Sequence, residues 1–79
     1  KVKKVKITVE EAGEEKVNIS LPIGLAHSLL KFLPESAHES LKENDIDVSQ
    51  LIEAVESMEG PSTLVDINDD GDHVKISLE

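Results

Sequence analysis

Val17-Asn18-Ile19-Ser20-Leu21-Pro22-Ile23-Gly24-Leu25-Ala26 changes its periodicity part-way along, and that change decides the fold. Up to Leu21, the apolar Val17, Ile19 and Leu21 alternate with Lys16, Asn18 and Ser20, the period of a strand with one dry face. Pro22 fixes φ near a helical value and has no N–H to leave unbonded, so it suits the first turn of a helix. Beyond it, Ile23, Leu25, Ala26, Leu29, Leu30, Phe32 and Leu33 span about 180° of a helical wheel at about 100° per residue. A surface helix usually has an apolar stripe of only about 100°. This helix is therefore expected to be central, or covered by a second chain. Pro34 ends it, because proline pushes the residue before it out of the α region.

Upstream, Val5, Ile7 and Val9 alternate with Lys4, Lys6, Thr8 and Glu10, a second strand pattern. Glu11-Ala12-Gly13-Glu14-Glu15 joins the two runs, and its glycine suits a positive φ, so residues up to Leu21 read as a β-hairpin. Downstream of Pro34 a short helix runs through Glu43: either Pro34 starts it, or Ser36 caps it with Glu39 reaching back. Its only apolar residues are Ala37 and Leu41, so it depends on its neighbours. The third helix is the best specified. Asp47 is its N-cap, Gln50 completes a capping-box pair, and Ile46 with Leu51 forms a hydrophobic staple. Val48, Leu51, Ile52, Val55 and Met58 keep helical spacing, with Gly60 as a left-handed stop and Pro61 against continuation.

Two more strands close the chain. Val65 and Ile67 alternate with Asp66 and Asn68, and Val74, Ile76 and Leu78 alternate with His73, Lys75 and Ser77. Asp69-Asp70-Gly71-Asp72 between them carries the Asp-Gly hairpin signal. The expected class is α+β: an antiparallel sheet from N- and C-terminal β-hairpins, with three intervening helices on one face (ββαααββ). Residues 1–79 make a single domain, and the opening at Lys1 without a methionine suggests part of a longer chain.

Composition excludes several functions. The balance is 8 lysines against 17 acids, net −9, with no arginine, so the surface repels nucleic-acid phosphates and lacks the bidentate reader of guanine. Residues 1–9 carry four lysines and no acid, whereas residues 43–79 carry eleven acids and one lysine, Lys75. There is no cysteine, hence no disulfide, thiolate nucleophile or zinc thiolate, which fits a cytoplasmic location. No apolar run approaches the roughly 20 residues that span a bilayer, so direct membrane insertion is not expected.

Three segments together resemble a known unit: Val17 to Leu25, Asp45-Ile46-Asp47-Val48 through Leu51-Ile52-Glu53-Ala54, and Leu64-Val65-Asp66-Ile67 through the Asp-Gly turn to Val74-Lys75-Ile76. The unit is the hairpin–helices–hairpin part of uncharacterised bacterial proteins that begin with a SHOCT-like helical segment, some of them linked to cell-envelope stress. The resemblance implies a regulatory or oligomerising accessory domain and brings no catalytic residues.

Candidate sites are few. Asp66, Asn68, Asp70 and Asp72, around Gly71, match the first half of an EF-hand calcium loop. The second half fails: the bidentate glutamate expected eleven residues after Asp66 is Ser77. A polar hairpin turn is the better reading, with loose Ca²⁺ binding as the alternative. His27, His38 and His73 show no metal-binding spacing, and Ser36, His38, Glu39 and Ser40 supply the residue types of a nucleophilic site without evidence of its geometry. Glu10-Glu11 and Glu14-Glu15 read as solvated charge. Lys1, Lys3, Lys4 and Lys6 are expected to protect an edge strand rather than to meet an acidic partner. No enzyme and no cofactor are expected. The favoured function is a protein–protein interaction or oligomerisation module, binding a partner or a second copy through Ile23, Leu25, Leu29, Phe32 and Leu33.

Overall fold

Strand β1, Lys4–Glu11, buries Val5, Ile7 and Val9 on one face, as its alternation requires. β2 spans Glu14–Pro22, β3 Ser62–Asp69 and β4 Asp72–Leu78. The computed structural model describes residues 4–79, and every side chain among them except that of Leu30. Both hairpins close through two residues at positive φ, Ala12 (51°) with Gly13 (81°) and Asp70 (49°) with Gly71 (89°). Left-handed pairs of this kind match the right-handed twist of the strands they join.

The four strands form one antiparallel sheet in the order β2-β1-β4-β3. Lys4 and Glu79 exchange backbone hydrogen bonds of 3.2 and 2.9 Å. The central strands are therefore β1 and β4, which corrects the expectation for the lysines. Lys4 and Lys6 stand on a central strand and guard no edge, while Lys1 and Lys3 lie outside the described residues. The edge strands β2 and β3 each carry an irregularity instead, at Lys16 and at Leu64. Such bulges twist an edge away from further pairing.

Between the hairpins, the expectation of three helices fails. Residues Ile23–Ser28 form a 3-10 helix that runs into a single α-turn, α1, Leu29–Phe32. Only α2, Glu35–Glu43, and α3, Val48–Ser57, exceed two turns, so the order is ββ-αα-ββ. The reason is local. Prolines at 22 and 34 bracket a segment too short to repay helix nucleation alone, and Gly24 weakens it further. In 3-10 geometry residues three apart eclipse, so Ala26 and Leu29 align and both are buried. Leu33, extended at φ −87° and ψ 125°, obeys the restriction that Pro34 imposes.

Pro34 stands at the N-cap of α2, with Ser36 inside the helix. Ala37 and Leu41, one turn apart, are its buried residues. The helix stops in a Schellman arrangement: Ile46 N–H donates to the Leu41 carbonyl (2.9 Å) and Asp45 N–H to that of Lys42 (3.1 Å). Asp45, at φ 58°, occupies the left-handed position usually given to glycine. At the start of α3, Asp47 Oδ1 accepts from Ser49 N–H at 2.8 Å. No return bond from Gln50 is present among the described residues, so the cap is single rather than reciprocal. The helix ends at Ser57 with Met58 extended (φ −78°, ψ 142°). The left-handed stop expected at Gly60 is not there: the glycines at positive φ are Gly13 and Gly71.

Buried residues from all four strands and from every helical segment form a single core cluster. The helical layer covers one face of the sheet and leaves the other to polar side chains. Among the described residues, no helix is long and apolar enough to cross a membrane.

Candidate interaction surface

The five residues proposed for contact divide into two groups. Leu29 and Leu33 are core, with at most 7% exposure, and Ile23 is half-buried. Leu25 and Phe32 stand outside at 47% and 43%. Taking about 120° per residue along the 3-10 helix and about 100° along α1, these two lie within about 40° of each other. They form an exposed line beside the buried line of Ala26, Leu29 and Leu33. The core thus accepts part of the wide apolar arc and leaves Leu25 and Phe32 uncovered.

Met58 is a further exposed large hydrophobic side chain among the described residues. Helical spacing had placed it on the inner face of α3, but the helix stops one residue short and the extended backbone turns it outward. No signal in the sequence marks that early stop, since Gly60 and Pro61 both point to a later one.

The other candidate sites do not assemble. Asp66 and Asn68 sit on β3, Asp70 in the turn and Asp72 at the start of β4. Asp72 Oδ1 accepts from Ala12 N–H of the other hairpin at 3.0 Å, and Gly13 N–H donates to the Gly71 carbonyl at 2.9 Å. The acidic turn therefore joins the two hairpin tips. Asp66 Oδ1 lies 2.6 Å from His73 Nε2, whose Nδ1 is 3.7 Å from Glu10. Among the described residues, no group of three or more His, Cys, Asp or Glu is placed to hold a metal ion.

The serine–histidine pairing also fails, because Ser36 and His38 are two apart on α2 and so face nearly opposite sides. Ser36 Oγ is buried without a hydrogen-bond partner. Of the acid pairs, Glu10 faces Glu15 and Glu11 faces Glu14 across the first hairpin. Like charges directly opposite weaken a ladder, and here they are relieved locally. Glu14 pairs with Lys16 (3.2 Å) and Glu15 accepts from Asn18 Nδ2 (2.6 Å).

The family model described as YvlB-like protein, C-terminal domain, matches residues 3–77. The chain belongs to this family. The finding replaces the SHOCT-like resemblance. The features that carried it (strand alternation, a proline-started segment, a capped helix, an Asp-Gly turn) specify a hairpin–helix–hairpin shape and not one lineage. No curated protein and no solved structure matches the chain. As a member of the YvlB-like C-terminal domain family, the chain has Leu25, Phe32 and Met58 as its exposed large apolar side chains among the described residues.

Proposed function

We propose that this domain is a non-catalytic interaction module of a bacterial regulatory or accessory protein, working in the cytoplasm through the outer side of its first helical segment. One observation carries the reading. Phe32 is the single aromatic residue of the chain, and the fold leaves 43% of it exposed. A domain with an all-aliphatic core has every reason to bury its one large ring, since full burial of a phenylalanine stabilises by about 1.5–3 kcal/mol. Aromatic side chains are instead enriched at the contact surfaces of proteins. Leu25 on the same side extends the patch.

The test is a photo-reactive phenylalanine analogue placed at position 32 of the full-length protein in living cells, with the same analogue at Glu14 as control. Protein adducts concentrated at position 32 support the reading. Equal adducts at both positions, or none at 32, refute it.

A further inference from the structure

Among the described residues, the exposed large hydrophobic side chains Leu25, Phe32 and Met58 all lie between the two hairpins, and so does an uneven share of the charge. Residues 23–60 carry eight carboxylates, every one exposed, against two lysines, Lys31 and Lys42. Glu53 and Glu56 stand on α3, the helix packed against the 3-10 segment that carries Leu25. The helical layer therefore carries an exposed apolar line and a net negative charge; none of its carboxylates falls within residues 23–34, whose one lysine is Lys31.

We infer that it takes a cationic amphipathic helix of another protein. The apolar face of that helix covers Leu25 and Phe32, and its lysines or arginines meet Glu53 and Glu56. The inference rests on the interaction reading above and names the chemistry of the partner. Spacing supports a helix. Leu25 and Phe32 are separated by about 12 Å along their axis, at about 2.0 Å per 3-10 residue and about 1.5 Å per α residue, which matches two turns of a partner carrying i and i+7 anchors. Charge argues against a second copy. A two-fold dimer presents the same patch from both sides, so it lays one acid-rich layer on another within the Debye length of about 8–10 Å.

The 79-residue chain is titrated by NMR with a synthetic leucine–lysine helical peptide, apolar at i, i+3, i+4 and i+7. A leucine–glutamate counterpart with the same apolar face serves as control. The lysine peptide is expected to shift the amides around Leu25 and Phe32. It should bind at least about tenfold more weakly to Phe32→Ser and to the double variant Glu53→Lys/Glu56→Lys. Its affinity should also fall as salt rises from about 0.05 M to about 0.5 M. Phe32, Glu53 and Glu56 are exposed, so unchanged thermal melts will show that the variants fold.

Equal binding of the two peptides overturns the inference and leaves the interaction reading in place. So does a Phe32-dependent dimer seen by light scattering. Shifts confined to the polar face of the sheet, around Thr8 and Lys75, overturn it as well. Silence with both peptides overturns it too, and together with no adduct at position 32 it removes the interaction reading.

Discussion

Replacing Asp45 by glycine should stabilise this protein, and the size of the gain follows from its backbone. Asp45 sits at φ 58° just after α2, where its own N–H and that of Ile46 donate the two hydrogen bonds that close the helix. The left-handed conformation costs an L-residue roughly 1–2 kcal/mol, with aspartate at the low end because its short polar side chain tolerates it. Glycine removes that cost but has more freedom to lose on folding, worth about 0.5–1 kcal/mol. The carboxylate also stands at the negative end of the helix dipole, unfavourable by a few tenths of a kcal/mol at an exposed position. The net expectation for Asp45→Gly is a gain of about 0.3–0.8 kcal/mol, or about 1–6 °C in Tm for a domain of this size.

Two further variants separate the contributions. Asp45→Asn keeps the tolerance for positive φ and removes the charge, so it should gain only the few tenths. Asp45→Val should lose about 1–2 kcal/mol, because a β-branched side chain is a genuine outlier at that φ. Urea melts with a constant m-value give the differences directly. A glycine variant no more stable than the parent, with a valine variant equally stable, would mean that α2 does not end as described.

Within α3, Leu51→Ala should cost about 2–5 kcal/mol, since Leu51 is only 6% exposed and belongs to the core. Asp47→Ala should cost about 0.5–2 kcal/mol by leaving the Ser49 N–H without its cap. Denaturation midpoints check both, and a cap variant costlier than the leucine variant contradicts the assignment. Gly60→Ala should leave stability unchanged or raise it by up to about 1 kcal/mol, because Gly60 has no positive φ and a Cβ there meets nothing within 4 Å. A loss above about 1 kcal/mol in the same melts would restore the left-handed stop.

The strands were legible because their signal is local. In β1 and β4, alternation at Val5, Ile7, Val9, Val74, Ile76 and Leu78 is repeated by burial residue for residue. Asp47 was readable as a cap for the same reason, since a cap acts on the N–H two residues away. The first helical segment departs from its sequence pattern because it does not keep one fixed helical period. Under the true mixture of 3-10 and α geometry, Leu29 and Leu33 turn inward while Leu25 and Phe32 turn outward. At a single period of about 100° per residue, Leu25 and Phe32 share one face with their buried neighbours Leu29 and Leu33, so the sequence does not separate them.

The sequence by itself determined where strands and turns fall, where α3 begins, and that the core is aliphatic, since each of these depends on residue type and on neighbours a few positions away. Tertiary structure alone decided that β1 pairs with β4 as well as β2, bringing Lys4 beside Glu79 and moving Lys4 and Lys6 from a supposed edge to the centre of the sheet. It also decided that the segment after Pro22 coils as a 3-10 helix and that Met58 leaves the helix pattern. Pairing between chain ends has no local signature, because an alternating strand offers identical hydrogen-bonding edges on both sides. Which side is taken, and which tight helical geometry a short proline-bounded segment adopts, depends on the apolar surface that the rest of the chain leaves to be covered.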